Sequence, residues 1–352
     1  MCGFTLVLAL PLGHNTDMTA PLVIVTRKLP PDVQARLSAL FACEFNDDDV
    51  PMSAAQLSSA ISRADVLVPT VTDKIDGSII SKASARLKLI ANFGAGTDHI
   101  DVLAAHRKGI LVTNTPGVLT EDTADLTMAI ILALPRRLVE ADRRLRDGGF
   151  SGWSPTWMTG RRVRGMKLGI VGMGRIGQAV ARRAGAFGLS VHYHNRTEVP
   201  RSISEGLQAR YWDDLDAMLS AVDIVSINCP STPQTRHMIN AQRLRRLGPQ
   251  SYIVNTSRGD VIDEAALAAA LRSGEIAGAG LDVYEREPDI TPDLIDLPNV
   301  ILAPHIGSAT EESRQEMGEK VMINIRAVMD AHMPPDRVLP PRASYNPASG
   351  AA

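Results

Sequence analysis

Short apolar runs alternate with helical patterns through the first third of the chain. The apolar runs lie at 22–25, 65–68, 87–91 and 110–112, and the clearest helical pattern between them runs from Pro31 to Phe41. Proline suits the first turn of a helix, where its missing N–H is not needed. Strands interleaved with helices are typical of βαβ units, so this region is predicted to form a parallel sheet.

A second series of the same kind starts at Lys167. Its predicted strands lie at 167–171, 191–194, 224–227, 252–254, 280–283 and 300–302, and its clearest helices lie at 178–187 and 264–272. A helical segment over 120–146 precedes this series and contains Pro135, which should interrupt it, and a long helix is predicted over 309–331. The fold class predicted is therefore α/β, with two doubly wound parallel sheets.

The second series is predicted to be an insert within the first. Residues 19–118 and 305–340 then form one domain and residues 119–304 the other, and a length of 352 residues is enough for about two domains. Residues 1–18 are interpreted as a disordered extension without a role in the fold, because Met18 directly precedes the first convincing strand. Ligands are expected between the domains, at the carboxyl ends of the strands.

The composition excludes several classes of function. A net charge of −2 gives no general attraction to nucleic acid or to acidic membranes, and no apolar run is long enough to span a bilayer. Cys2, Cys43 and Cys229 are widely spaced and form no metal-type cluster, which favours a reducing cytoplasm. The apolar stretch 4–12 could act as an export signal, but it lacks the basic start and the small-residue cleavage site of such signals.

A glycine motif joins the strand at 167–171 to the following helix. It has the spacing G-x-G-x-x-G and consists of Gly172, Met173, Gly174, Arg175, Ile176 and Gly177. In this context the glycines permit a tight turn, close approach of backbone to a pyrophosphate and close packing of helix on strand. The motif therefore predicts a dinucleotide site at the helix N-terminus, against the alternative of a glycine turn that binds nothing.

The residues after the next strand indicate which dinucleotide is bound. An NAD site usually carries Asp or Glu here, to accept a hydrogen bond from the ribose 2′-OH. This chain has Asn195, Arg196 and Thr197 instead, and no acid before Glu198. A neutral amide followed by a planar cation suits a 2′-phosphate, so NADP is predicted as the preferred cofactor, with NAD still possible. The alternative is that Arg196 only stacks on the adenine.

Three further residues follow strand ends and could carry proton and anion chemistry. Arg258 comes just after the strand near 252–254, Glu287 lies shortly after the strand near 280–283, and His305 follows the strand near 300–302. Singly, each is typical of a surface or capping residue. At one sheet edge, however, a histidine can give a proton to a developing alkoxide, an arginine can bind a carboxylate, and a carboxylate can favour the imidazolium. Together they predict the reduction of a ketone.

Two other features leave alternatives open. A turn at 92–97, which contains Gly94, Ala95 and Gly96, could hold a small carboxylate on its backbone N–H groups, or could be a plain strand-to-helix turn. Trp153 and Trp157 lie in a loop near an expected surface helix, in a chain with only 4% aromatic residues. They are interpreted as packing against a partner, with burial in the same subunit as the equal alternative.

These motifs resemble those of the D-isomer-specific 2-hydroxyacid dehydrogenases. The similarity covers roughly 21–340 and rests on the glycine motif and on the segments 92–101, 255–259, 282–288 and 304–308. It implies a Rossmann cofactor domain inserted into a flavodoxin-like substrate domain. It also implies that Arg258 binds and polarises a 2-oxo acid, that His305 donates the proton in reduction, and that Glu287 tunes His305. The backbone at Gly94, Ala95 and Gly96 would hold the substrate carboxylate.

The same resemblance implies further cofactor contacts. Asp282 would hold the nicotinamide carboxamide, and Thr123 would lie on the nicotinamide side. The chain at Cys229 and Pro230 would lie next to the adenosine. Thr256 and Gly307 complete the expected cofactor set.

Within the family, segments 193–197 and 307–310 are similar to the glyoxylate/hydroxypyruvate reductases, which reduce glyoxylate to glycolate and hydroxypyruvate to D-glycerate with NADPH. A homodimer is implied, in which Trp153 of the partner subunit, or less readily Trp157, approaches the site. Glu287 argues against formate as substrate, because formate dehydrogenases carry Gln there. The alternatives are a dehydrogenase for bulkier 2-hydroxy acids and a non-catalytic, corepressor-like dinucleotide sensor.

Overall fold

A computed structural model of the protein describes residues 20–340. Within this range the chain divides into two compact units. The smaller unit contains the residues up to Ala91, Asp101–Thr113 and the residues from Met322, and the larger unit contains Asn92–Ile100 and Asn114–Val321. The proposed extension at residues 1–18 lies outside the described residues.

The smaller unit is built on a parallel sheet with strand order β2-β1-β3-β4-β5. This is the order of flavodoxin-like folds, which the family resemblance implies for this domain. Its elements are β1 (Leu22–Val25), α1 (Pro31–Leu40), β2 (Ala42–Glu44), α2 (Ala54–Arg63), β3 (Val66–Val68), α3 (Gly77–Ser81), β4 (Leu89–Ala91), α4 (Val102–Arg107) and β5 (Leu111–Thr113).

The larger unit is built on a second parallel sheet, with strand order β12-β11-β10-β9-β6-β7-β8. The order reverses between β6 and β9, which is the switch point of a Rossmann fold. Its elements are α5 (Thr120–Ala133), α6 (Leu138–Arg146), β6 (Lys167–Val171), α7 (Arg175–Ala186), β7 (Ser190–His194), α8 (Arg201–Gly206), β8 (Arg210–Trp212), α9 (Leu215–Leu219), β9 (Ile224–Ile227), α10 (Ala241–Leu247), β10 (Tyr252–Asn255), α11 (Glu264–Ser273), β11 (Gly278–Leu281), α12 (Pro292–Ile295), β12 (Val300–Leu302) and α13 (Glu311–Met329).

Alternate residues along the strands of the larger unit pack into two separate apolar clusters. On β10, Ile253 belongs to one cluster, whereas Tyr252 and Val254 belong to the other. Side chains on a strand point to opposite faces in turn, so helices must cover both faces of this sheet. That burial on both faces explains why its strands appear in the sequence as unbroken apolar runs.

The helix predicted over 120–146 is interrupted where proline was expected to interrupt it. α5 ends at Ala133, and the chain passes Pro135 and Arg137, which has a left-handed φ of 53°, before α6 begins at Leu138. α7 starts at Arg175, inside the glycine motif and three residues before the predicted helix at 178–187. Three-residue strands β2 and β8, both at sheet edges, were not predicted.

The two units differ from the predicted domain boundaries in three places. The turn at 92–100 belongs to the larger unit, as do residues 114–118 and residues 305–321 after β12. α13 begins in the larger unit and ends in the smaller one, so the chain returns within a helix rather than at His305. A boundary inside a helix leaves no break in the sequence pattern that could reveal it.

Candidate active site

Three glycines shape the turn between β6 and α7. Gly172 has a left-handed φ of 100°, and a Cβ on it would lie 2.7 Å from the Asn228 carbonyl carbon. A Cβ on Gly177 would lie 2.2 Å from the Gly172 carbonyl oxygen, so any side chain there would push the helix away from the strand. A Cβ on Gly174, in contrast, would have no atom beyond its chain neighbours within 4 Å. The turn is thus tight on its protein side and accessible beside Gly174.

The first turn of α7 leaves its N–H groups available for an anion. Gly174 is the N-cap residue and supplies no side-chain hydrogen bond to the helix. Arg175 is exposed and Ile176 is half-buried at the start of this helix. Free N–H groups and the helix dipole together favour a bound phosphate at this end.

Asn195 is attached to the glycine turn by its side chain. The Met173 N–H donates to Asn195 Oδ1 at 2.7 Å. Because the carbonyl oxygen faces Met173, the amide group Nδ2 remains as a hydrogen-bond donor on the other side of the side chain. Tyr211 holds the same residue through a hydrogen bond from its hydroxyl to the Asn195 carbonyl oxygen at 3.2 Å.

The residues around Asn195 differ in exposure. Arg196 and Thr197 are exposed, and the Arg196 guanidinium makes no hydrogen bond or ion pair with any residue of 20–340. Cys229 follows β9 beside Gly172, and burial raises the pKa of its thiol to about 11. The Pro230 carbonyl accepts a hydrogen bond from Thr235 at 2.7 Å. A thiol with so high a pKa stays protonated near neutral pH, so Cys229 offers no thiolate here.

Arg258 is held against the turn at 92–97. Its Nε donates to both carboxylate oxygens of Asp98, at 3.0 and 3.1 Å, and its Nη1 donates to the Ser257 carbonyl at 2.7 Å. A Cβ on Gly96 would lie 1.7 Å from Arg258 Nη2, so only glycine allows the guanidinium this position. Burial alone would raise the pKa of Asp98, but the charge and hydrogen bonds of Arg258 outweigh it and lower that pKa.

Side-chain amides hold the carbonyl groups of the same turn. Asn92 donates to the carbonyls of Gly94 and Gly96, at 2.9 and 2.8 Å, and Asn114 donates to the carbonyl of Ala95 at 2.6 Å. The N–H groups of Ala95 and Gly96 have no acceptor within the described part of the chain. Consecutive N–H groups without acceptors, next to a guanidinium, make a suitable site for a small carboxylate.

Glu287 and His305 form a hydrogen-bonded pair. His305 Nδ1 lies 2.7 Å from Glu287 Oε2, and Glu287 Oε1 accepts the Tyr284 N–H at 3.0 Å. Burial alone would raise the pKa of Glu287, but His305, the Tyr284 N–H and the charge of Arg258 outweigh it and lower that pKa. An ionised Glu287 accepts the Nδ1 proton and leaves Nε2 of His305 for the reacting group.

Asp282 fixes the turn that carries His305. Its two carboxylate oxygens accept the N–H groups of Ile306 and Gly307, at 2.7 and 2.8 Å, and its side chain is 1% exposed. Burial raises the pKa of Asp282, and those N–H groups and the charge of His305 only partly offset the rise. His305 has a left-handed φ of 56°, which costs a non-glycine residue about 1 kcal/mol, so the turn needs such support.

A chain of hydroxyl groups links other predicted residues to that turn. Thr123 donates to the Gly307 carbonyl at 3.0 Å, Thr127 donates to the Thr123 carbonyl at 2.7 Å, and the hydroxyls of Thr127 and Thr256 lie 2.8 Å apart. Thr123, Thr256 and Gly307 are therefore connected to one another through buried groups, as residues of one site should be.

Several polar residues that support this site were not predicted. Asp98, Asn92 and Asn114 hold Arg258 and the turn at 92–97, and Asn255 holds the Arg258 loop by donating to the Arg258 carbonyl at 2.8 Å. Asn92 and Asp98 lie inside a segment that the sequence already singled out. A buried amide directly after a strand is the signal that could have identified Asn92.

The two tryptophans of the loop after α6 are exposed in the single chain. Trp153 is 85% exposed, and Trp157 lies with its ring centroid 5.6 Å from that of Phe150. α6 contains no buried residue, although Leu138 and Leu145 lie on it. Burial of the indoles in the same subunit, the alternative left open by the sequence, is therefore wrong for Trp153.

Within residues 20–340, no helix is long and apolar enough to cross a membrane, and no group of His, Cys, Asp or Glu side chains could hold a metal ion.

Comparison with known proteins decides the family. The model of the NAD-binding domain of D-isomer specific 2-hydroxyacid dehydrogenases matches residues 128–307. A glyoxylate reductase of Thermococcus litoralis is 43% identical over 322 residues, which cover 90% of this chain and 96% of the relative. This chain belongs to the D-isomer-specific 2-hydroxyacid dehydrogenase family. It is accordingly an NAD(P)-dependent oxidoreductase.

Other members of the family are also similar to this chain. A glyoxylate reductase of Korarchaeum cryptofilum is 44% identical and also covers 90% of this chain and 96% of its own length. Among solved structures, an NADPH-dependent glyoxylate/hydroxypyruvate reductase of Sinorhizobium meliloti, in complex with NADP and malonate, is 37% identical with a TM-score of 0.79. The match covers 91% of this chain and 97% of that dehydrogenase. The predictions of family, of fold class and of an enzyme are confirmed.

Proposed function

We propose that this protein reduces small 2-oxo acids with NADPH, converting glyoxylate to glycolate and hydroxypyruvate to D-glycerate. The proposal rests mainly on one observation. Glu287 is hydrogen-bonded to the His305 ring at 2.7 Å, while the charge of Arg258 acts on the same carboxylate. A proton donor, a cation and an orienting carboxylate are the groups that reduction of a 2-oxo acid requires.

In this proposal the substrate carboxylate binds to the turn at 92–97. Its negative charge is matched by the N–H groups of Ala95 and Gly96 and by Arg258, whose Nη2 lies beside Gly96. Arg258 also polarises the keto group. Asp98 binds Nε of the guanidinium and the Ser257 carbonyl binds Nη1, so Nη2 remains as the donor for the substrate.

His305 donates the proton. Its Nδ1 is committed to Glu287, so Nε2 is the atom that delivers a proton to the alkoxide as it forms. The ionised Glu287 stabilises the imidazolium that this step consumes. Reduction should therefore slow as the pH rises and the imidazolium is lost, and oxidation should show the reverse dependence.

The cofactor fits the residues after β6, β7 and β9. Open space at Gly174 and the uncapped start of α7 suit a pyrophosphate, with Thr123, Asp282, Thr256 and Gly307 towards the nicotinamide and Cys229 and Pro230 towards the adenosine. When bound, the nicotinamide supplies the hydride. Each oxygen of Asp282 already accepts one N–H group, from Ile306 or Gly307, so we assign it first to holding the His305 turn and only then to the carboxamide.

Preference for NADPH is supported by the donors after β7. Asn195 keeps its Nδ2 donor because Oδ1 is bound to the Met173 N–H, and the guanidinium of Arg196 is exposed. A 2′-phosphate needs donors and positive charge, whereas a 2′-OH would be favoured by an acceptor that is missing here. The Sinorhizobium meliloti reductase, which is NADPH-dependent, is similar to this chain over 91% of its length.

We further propose that the active form is a homodimer. α6 has no buried residue, and its exposed Leu138 and Leu145 continue into the exposed Trp153. Apolar area of this kind on one helix and loop suits an interface.

Light scattering should give the mass of a dimer, and Leu145→Glu should shift the measured mass to that of a monomer. Trp153→Ala in an intact dimer should raise KM for the oxo acid, since the partner subunit's Trp153 is assigned to the site. A wild-type monomer with full activity would refute both assignments.

The decisive experiment is a steady-state panel of 2-oxo acids with NADPH and with NADH. We expect the highest kcat/KM with glyoxylate or hydroxypyruvate and NADPH, and His305→Gln should lower kcat by about 100- to 10,000-fold with little change in KM. Higher kcat/KM on bulkier oxo acids would favour the broader dehydrogenase. No turnover with any of them, together with association that depends on nucleotide, would favour a dinucleotide sensor instead.

A further inference from the structure

A buried carboxylate on α11 holds the loop that carries Glu287. Glu264 is the first residue of α11 and is 4% exposed. Its Oε1 accepts the Glu285 N–H at 2.5 Å and its Oε2 accepts the Thr291 hydroxyl at 2.6 Å. Both oxygens of this buried group therefore have partners, which is what burial of a carboxyl group requires.

The two partners of Glu264 lie on either side of Glu287 in the chain. Between them the backbone reverses direction, with the Asp289 N–H donating to the Arg286 carbonyl at 2.8 Å and an antiparallel bridge between the same two residues. Glu287 stands in this reversal. Glu264 thus closes the loop at its base, where the chain enters it at Glu285 and leaves it at Thr291.

The attachment continues directly to the reacting pair. Tyr284 N–H donates to Glu287 Oε1, and the next N–H along the chain, that of Glu285, donates to Glu264. Adjacent amides are therefore held by the two carboxylates, and only the φ and ψ rotations of Tyr284 separate the two planar peptide groups that carry them. A shift of the loop base would move Glu287 relative to His305, whose own turn is fixed separately by Asp282.

We propose that Glu264 is a positioning residue for the reaction: by holding the base of the loop at 285–291, it keeps Glu287 aligned with Nδ1 of His305. This inference rests on the proposed function of Glu287 and His305. Glu264 itself touches neither substrate nor cofactor in this assignment. A misplacement of about 1 Å at such a pair can cost about 100-fold in rate, so the effect should be measurable.

The test compares Glu264→Ala and Glu264→Gln. Alanine removes both acceptors, whereas glutamine keeps one for the Glu285 N–H and can donate to the Thr291 hydroxyl. Glu264→Ala should lower kcat by about 10- to 100-fold with little change in KM for NADPH, and Glu264→Gln should restore most of it. Thr291→Val removes one hydrogen bond only, and serves if the alanine variant does not fold. Glu275→Ala, an exposed carboxylate just after the same helix, is the matched control.

Two readouts separate positioning from general destabilisation. In Glu264→Ala the alkaline limb of the pH–rate profile for reduction should move to lower pH, because a displaced Glu287 stabilises the imidazolium less. The charged groups that face His305 are Glu287 and Asp282, with Arg258 acting through Glu287, and none of them is altered. In a Glu287→Gln background, Glu264→Ala should have almost no further effect on kcat.

The outcomes are distinct. A uniform loss of rate with an unmoved pH limb, and full additivity with Glu287→Gln, would show that Glu264 is only structural and would overturn the proposal. If the wild type reduces no 2-oxo acid, the proposed function fails, and the positioning role is decided without turnover. NMR of 13C-labelled histidine then measures the pH at which the His305 ring titrates. That midpoint should move in the same direction in Glu264→Ala and Glu287→Gln, and an unmoved midpoint in Glu264→Ala would overturn the proposal.

Discussion

Replacement of Asn195 by aspartate should transfer the cofactor preference from NADPH towards NADH. The Met173 N–H donates to Asn195 Oδ1 at 2.7 Å, and an aspartate oxygen can accept the same bond. The fold of the glycine turn is therefore retained. The second atom of the side chain changes from an N–H donor to a charged acceptor, and that atom faces the position proposed for the 2′ substituent.

The size of the effect follows from two contributions. A new negative charge about 5 Å from a phosphate charge costs about 1 to 3 kcal/mol for effective dielectric constants between about 80 and 20. A 2′-OH that donates to a charged acceptor gains about 1.5 to 3 kcal/mol. The lower limits sum to about 2.5 kcal/mol, so the ratio of kcat/KM for NADPH to that for NADH should fall by at least about 50-fold.

The assay is steady-state reduction of glyoxylate at saturating concentration, with each cofactor varied in turn. Asn240→Asp is the matched control, because Asn240 caps α10 by accepting the Arg243 N–H and aspartate caps equally well. It adds the same charge away from the glycine turn. The part of the effect due to charge should also shrink as salt is added. A ratio that changes by less than about threefold, against the expected effect, would refute the reading of Asn195 as the residue that selects the cofactor.

Two further predictions concern the substrate turn and the stability of the larger unit. Gly96→Ala should raise KM for the oxo acid by about tenfold or more, because its Cβ would meet Arg258 Nη2 at 1.7 Å. The control is Gly185→Ala, whose Cβ would face open space and should leave the kinetics unchanged. Equal kinetics in both variants would contradict the proposal that the turn at 92–97 binds the substrate. His192 is buried, and this burial is the main reason why its pKa is lower than 6.5; the charges of nearby cations lower the pKa further. The neutral ring accepts the Trp212 indole N–H on Nδ1 at 3.0 Å. The unfolded chain then binds the proton more readily, so the free energy of unfolding should fall as the pH drops below about 6.5, and urea titrations should show a smaller fall in His192→Gln.

The sequence predicted most strands of both sheets but missed one edge strand of each, β2 and β8. β1 and β9 were located to the residue, because strands covered by helices on both faces are unbroken apolar runs. β2 and β8 each contain only three residues, lie at a sheet edge and have no fully buried residue. Such strands form because a neighbouring strand offers its backbone groups, and that cause leaves no periodicity in the strand's own sequence.

The site was predicted at the level of positions but not of contacts. Arg258, Glu287 and His305 could be placed at one sheet edge, because each follows a strand of the same parallel sheet. The pairing of Arg258 with Asp98 spans 160 positions, and the bond from Met173 to Asn195 spans 22. Partners so far apart share no local pattern, so only the folded chain could reveal that Asp98 orients the arginine.

Three buried polar residues near the site share a physical property, and of these only Asp282 was predicted, as a cofactor contact. Asn92, Asn255 and Asp282 are each 1% exposed, lie at or directly after the end of a strand, and hold the backbone or side chains of a neighbouring loop through two hydrogen bonds or more. Burial of an amide or carboxylate without such hydrogen bonds costs free energy. A loop that lost these bonds would therefore no longer have one preferred position, and would not settle into another. The reacting side chains lie on loops, which are mobile by default. Their alignment therefore depends on these buried polar groups. Conservative changes such as Asn255→Asp or Asp282→Asn should lower kcat strongly while they lower the melting temperature only slightly.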